Sequence, residues 1–175
     1  MLAPQNAALA TMFIPLAITI TYMDVRYRRI PNKLVLLTLI SGVALHTFFE
    51  GWQGLLASLS GMALAFGIMF LLHLFGTMGA GDVKLFAAIG AVVGSSLVPR
   101  TFLVVAITGG VLATCKMIQA RRARLTMLGV AQFFFGLLPG QKVPRLAVPS
   151  DPSITLPYAV PICLGSLLSF FLFRA

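Results

Sequence analysis

The chain has 175 residues, of which 59% are hydrophobic and only 10% charged, and its mean hydropathy is +0.99. A water-soluble domain carries about 25% charged residues, so this composition excludes an ordinary soluble globule and makes lipid the main solvent. The formal net charge of +9 is then no argument for a nucleic-acid partner, because anionic membrane lipids are what cations beside a bilayer meet.

A helix that crosses a bilayer needs about 20 mostly apolar residues. Apolar segments of about that length, two of them short, lie at roughly 6–23, 34–49, 54–77, 83–98, 101–119 and 156–173. They predict an all-α, polytopic integral membrane protein with about six transmembrane helices. No Lys or Arg precedes the first segment, so the charged leading region of a cleaved signal peptide is missing and span one is expected to stay. Next come Asp24, Arg26, Arg28 and Arg29, then Ile30-Pro31-Asn32, a rigid turn that ends one element before span two. Glu50 separates spans two and three. Between spans three and four, GTMGAGDVKLF at residues 76–86 sets Asp82 directly after a run of glycines.

After span five comes the one long connection, residues 120–155, which opens on Arg121, Arg122 and Arg124. Its stretch LTMLGVAQFFFGLL, about 14 residues, is too short to cross and reads as a helix lying in the membrane interface. Six of the ten prolines follow, from Pro139 to Pro161. Residues 1–175 are expected to form a single transmembrane domain, with 120–155 a cytoplasmic and interfacial connection within it.

Eleven of the thirteen Lys and Arg residues fall on one side of this scheme, leaving Arg100 and Arg174 on the other. By the positive-inside rule the eleven face the cytoplasm of a bacterial inner membrane and both termini are periplasmic. Asp24 closes span one and Asp82 opens span four, so topology puts both at the cytoplasmic boundary. Glu50 falls on the opposite side, and Asp151 in the long connection.

The chain has four acidic residues in all. A carboxylate near the hydrocarbon is costly, about 2.5–3.5 kcal/mol at the bilayer centre, so Asp24 and Asp82 need a reason. Asp82 can cap the helix that it opens, and Asp24 can pair with Arg26 or Arg28. The sharper reading joins them. Two neighbouring carboxyls share one proton; one then activates a water while the other polarises a scissile carbonyl. His46 and His73 lie inside apolar spans and are expected to be buried and hydrogen-bonded. Cys115 and Cys163 form no CxxC pair and are expected to be buried thiols. No metal and no cofactor is expected, and GTMGAGD lacks the Gly-Lys-Ser/Thr of a phosphate-binding loop.

Gly79-Ala80-Gly81-Asp82, followed by Val83-Lys84-Leu85, resembles the G-x-G-D signature of type IV prepilin peptidases, a group of intramembrane aspartyl proteases. Asp24 with Arg26 and Ile30-Pro31-Asn32 resembles that family's other aspartate motif, and Leu156-Pro157-Tyr158-Ala159 is similar to the opening of its last span. The resemblance covers nearly the whole chain. It implies an aspartic endopeptidase that cuts a prepilin or pseudopilin on the cytoplasmic side, with Asp24 and Asp82 as the catalytic pair. Gly79, Gly81, Lys84, Arg26, Pro31 and Asn32 would bind substrate or shape the site. Larger members carry paired CxxC motifs in a region that also methylates the new N-terminus. This chain opens at span one without them and resembles the short form of Flp, or tight-adherence, pili, so cleavage without methylation is expected. The motifs do not separate it from an archaeal preflagellin-type peptidase. Outside proteolysis, the alternatives are a small proton- or cation-coupled transporter using the two aspartates, or a non-catalytic assembly subunit. Aspartates at one face rather than at mid-membrane favour the protease.

Overall fold

The computed structural model describes residues 4–76, 78–119 and 157–174, and every element among them is a helix. In chain order these are α1 (Pro4–Tyr27), α2 (Asn32–Leu74), α3 (Ala80–Val93), α4 (Val98–Gln119) and α5 (Ala159–Arg174). The expected interfacial helix, the basic run at 121–124 and Asp151 lie outside the described residues. Prolines stand in the first turn of α1, α4 and α5 (Pro4, Pro99, Pro161), where a missing N–H costs nothing.

Spans two and three, expected as separate helices, are two limbs of α2. Its 43 residues would run about 65 Å if straight, roughly twice the hydrocarbon thickness. They are not straight: Gly51 adopts φ 61° and ψ −135°, a conformation open mainly to glycine. Both limbs then reach the same part of α3. A methyl group added at Gly42 would stand 2.9 Å from the Val92 nitrogen, while the Ser58 hydroxyl donates to the Ala91 carbonyl at 2.8 Å. Residues 42 and 58 would be about 24 Å apart in a straight helix, so the chain has turned back on itself at Gly51.

Between these limbs α3 is enclosed. Of residues 82–93 only Lys84 is exposed. Fourteen residues make a helix of about 21 Å, short for a span, but its backbone is shielded by protein rather than lipid. Close approach is possible because the facing residues are small. Gly61 on α2 and Gly90 on α3 touch backbone to backbone, and a methyl on either would overlap the other's carbonyl. In lipid, where apolar surfaces gain little from association, such contact supplies the packing energy.

The last carbonyls of a helix lack intrahelical partners, and at the C-terminal end of α3 the α2 limbs provide them. His46 Nε2 donates to the Val92 carbonyl at 3.0 Å, beside the Ser58–Ala91 bond. The other His46 nitrogen lies 3.4 Å from Gln5 Nε2 and 3.6 Å from Glu50 Oε2, and Gln5 donates to Glu50 at 2.7 Å. His46 is thus buried and hydrogen-bonded, as expected. Cys163 is also buried, but Cys115 is exposed on α4, so the expectation of two buried thiols holds for one of them.

The outside of the bundle is apolar: Phe48, Trp52, Ile107 and Leu172 are among its exposed side chains, whereas Thr38, Ser58, Ser166 and Ser169 are buried. Hydroxyls on several helices, Thr11, Thr19, Thr47 and Ser60 among them, donate to the carbonyl four residues earlier, which settles a polar group without water. Three helices, α1, α2 and the first 18 residues of α4, are long and apolar enough to cross a membrane. The chain is an integral membrane protein.

Candidate active site

Buried positions on α1 include Leu9, Phe13, Leu16, Ile20 and Asp24, in steps of three and four that trace one face of a helix. Asp24 therefore continues the core stripe and points inward, with only 8% of its surface exposed. Its Oδ2 accepts the Ala159 backbone N–H at 3.0 Å, a donor at the N-terminus of α5, where free N–H groups and the helix dipole favour a carboxylate.

Asp82 arrives from α3. The Met78 carbonyl before it accepts a bond from His73 Nδ1 at 2.7 Å, tying the α2–α3 turn to the end of α2. Gly79 starts α3 in extended conformation. The Asp82 N–H donates to the Gly79 carbonyl at 3.1 Å, and the Gly79 N–H donates back to Asp82 Oδ2 at 3.3 Å. Asp82 is thus a cap after all, working from the first turn, and its carboxylate is buried at 8% exposure. The two functions are compatible: the cap fixes where the carboxylate stands.

The two aspartates are both buried at the same end of the bundle. The charge of Asp24 reaches Asp82 and Cys163, and the charge of Asp82 reaches Tyr158. The start of α5 thus sits against both, with Ala159 bonded to one carboxylate and Tyr158 beside the other. On the outer side, Ile30 packs 3.7 Å from where a methyl on Gly81 would be, so the α1–α2 turn closes on the first turn of α3. Pro31 is half-buried and caps α2, its carbonyl accepting from Leu34 and Val35. Arg26, Asn32, Gly79, Gly81 and Lys84 are exposed around the site.

Three participants escaped the residue-level reading. His73 holds the turn before Asp82, and its signal was only a histidine near a span end. Ala159 acts through its backbone, which no side-chain pattern reveals. Tyr158 stood in a stretch noted for its likeness to a family motif, but without a role. Chemically, the site offers two buried, like-charged carboxyls with one backbone donor each among the described residues. Such a pair favours sharing a proton, the condition for paired acid and base work. Among these residues no three His, Cys, Asp or Glu side chains gather as a metal site would require.

Comparison with known proteins places the chain in a family. The chain is 29% identical over 118 residues to the prepilin leader peptidase/N-methyltransferase of Bacillus subtilis (strain 168), covering 66% of this chain and 47% of that protein. The chain thus spans about half the length of that relative. No solved structure matches it. The model of the type IV leader peptidase family matches residues 11–114, more than half of the chain and a range that contains both aspartates and the glycines before Asp82. The chain belongs to the type IV leader peptidase family.

Proposed function

We propose that this protein is a membrane-embedded aspartic endopeptidase that removes the leader from Flp-like type IV prepilins, with Asp24 and Asp82 as its catalytic pair. One observation carries the reading: two of the chain's four acidic residues, 58 positions apart, are both buried, and the charge of Asp24 reaches Asp82. In the proposed reaction the ionised carboxylate takes a proton from water as the water oxygen adds to the scissile carbonyl carbon. The protonated partner hydrogen-bonds the carbonyl oxygen, and the proton passes to the leaving nitrogen as the C–N bond breaks.

The reading includes six crossings, with the two limbs of α2 counted separately, and a catalytic face toward the cytoplasm. Exposed Arg26, Arg28, Arg29, Lys33 and Lys84 at the aspartate end support that orientation. At the other end Arg100 lies over the Phe173 ring, 5.3 Å from its centre. It also includes cleavage without methylation, as the likeness to the short form implies.

The test is incubation of the purified protein with a Flp-type prepilin, followed by mass spectrometry of the product. Loss of the leader with an unmodified new N-terminus is the expected result. No leader loss would refute the peptidase reading, and an enzyme-dependent methyl group would refute the second part.

A further inference from the structure

The backbone N–H that holds Asp24 belongs to α5, so the seating of α5 decides whether the proposed catalytic carboxylate is held. The sequence of that helix, AVPICLGSLLSFFLFR, is apolar almost throughout, and apolar surface in lipid gains little from one register over the next. A more specific contact has to fix it.

That contact lies along α4, the helix against which α5 chiefly packs. Thr101 and Ser169, both buried, join their hydroxyls at 2.9 Å. A methyl added at Gly165 would stand 2.7 Å from the Val105 Cα and 2.8 Å from the Thr108 hydroxyl. One added at Gly109 would meet the Pro161 ring at 3.7 Å. The pairs 101 with 169, 105 with 165 and 109 with 161 climb α4 by four residues and descend α5 by four. They are successive contacts of a single antiparallel register, about one helical turn apart. The Thr108 hydroxyl, 2.9 Å from the Val104 carbonyl of its own helix, is also 3.2 Å from the Pro161 carbonyl across the seam.

Along α5, Gly165 stands about 9 Å from Ala159 and Ser169 about 15 Å, so both bear on Asp24 through the helix that they seat. The approach at Gly165 is the sensitive one. Ordinary carbon–carbon contact is about 3.5–4.0 Å, and a side chain at 165 would face backbone that cannot fold aside. With any side chain there, α5 would have to withdraw from α4 by about 1 Å. A shift of about 1 Å along the 3.0 Å bond from Ala159 to Asp24 takes it out of hydrogen-bond range.

We infer that Gly165 is a positioning residue for Asp24: its bare backbone seats α5 on α4 where the Ala159 N–H meets the carboxylate, and the Thr101–Ser169 pair locks that seat. The inference rests on the peptidase reading and extends the working site to a helix pair outside the two aspartate motifs.

The test measures kcat and KM for a prepilin, and the melting temperature, with the full chain purified in lipid. Gly165→Ala should lower kcat at least about tenfold, toward the loss of about 100-fold that a misplacement of about 1 Å can cost, and leave KM unchanged. Thr101→Val keeps the shape of the side chain but drops the hydroxyl, and should lower kcat severalfold; Thr101→Ser keeps the hydroxyl and should restore it. Ser58→Ala removes another buried hydroxyl bond, between α2 and α3, and should lower the melting temperature with kcat unchanged. If Gly165→Ala does not fold, the two Thr101 variants decide. Native kcat in folded Gly165→Ala or in Thr101→Val, whatever the melting temperature, would overturn the inference and leave the peptidase reading standing. An equal loss of kcat in Ser58→Ala would overturn it too, as an effect of stability alone. Absence of cleavage by the native chain would instead defeat the reading on which the inference rests.

Discussion

The two ends of α3 are held in opposite ways. At its C-terminal end, acceptors meet donors: the Ala91 and Val92 carbonyls take bonds from Ser58 and His46, and Gln5 and Glu50 complete the network around the imidazole. At its N-terminal end acceptors are in excess. Four carboxylate oxygens on Asp24 and Asp82 meet two backbone donors, from Ala159 and Gly79, among the described residues. A network in which every group is matched holds a fold in place. A site short of donors calls for protons and for a ligand that brings its own polar atoms, which is what a water and a peptide carbonyl provide. Polarity inside a membrane protein thus serves structure at one end of a single helix and chemistry at the other.

The largest loss should come from the contact between these ends. Gly90→Leu drives a side chain into Ala65 and the Gly61 backbone, with no room to give. Folded protein is expected to disappear, seen as loss of the monodisperse peak in detergent chromatography. A stable, active Gly90→Leu protein would contradict the close packing of α2 on α3.

His46→Ala should separate the two ends. It leaves the buried Val92 carbonyl without the imidazole donor, at a cost of about 1–3 kcal/mol, and should lower the melting temperature. Prepilin cleavage per folded molecule should stay near the native rate. A selective loss of turnover would mean that the far end takes part in the chemistry.

Gly81→Ala should do the reverse on a smaller scale. Its methyl would meet Ile30 at ordinary contact distance, 3.7 Å, so thermal stability should hold while crowding of the exposed approach to Asp82 slows cleavage severalfold. The smallest effect is expected at Glu50→Gln, whose side chain is 39% exposed and can keep its contact with Gln5. Neither melting temperature nor turnover should move appreciably.

Much of this was legible in the residues. Apolar runs marked the helices, and Glu50 marked the break between two of them, although the turn itself is made by Gly51. Asp24 falls in step with Leu9, Phe13 and Ile20, so its inward aim follows from helical spacing. Topology, which sets Asp24 and Asp82 at one membrane face, suggested their pairing, and the resemblance to the family's two aspartate motifs implied the same pair. What stayed hidden depends on distant chain segments meeting. Ala159 reaches Asp24 across 135 positions through a backbone N–H that any residue but proline would carry. The exposure of Cys115 depends on which side of α4 finds a neighbour, and a uniformly apolar helix carries no such mark. The end of α3 at Val93, rather than near 98, reflects Gly94 turning out of the helix at φ 79°, in a run that hydropathy reads as continuous.

The central claim is that Asp24 and Asp82 act as one unit, and cleavage of a prepilin by Asp24→Asn, Asp82→Asn and the double variant tests it most directly. Asn keeps the size and much of the hydrogen bonding of each carboxylate but cannot take part in proton sharing. Each single variant, inserted and folded, should lose cleavage by at least about 100-fold, the lower range for removing acid–base assistance. The double variant should be no worse than either one, because groups that work as a unit are lost together. Full activity in either single variant would contradict the account and leave Asp82 as nothing more than the cap of α3.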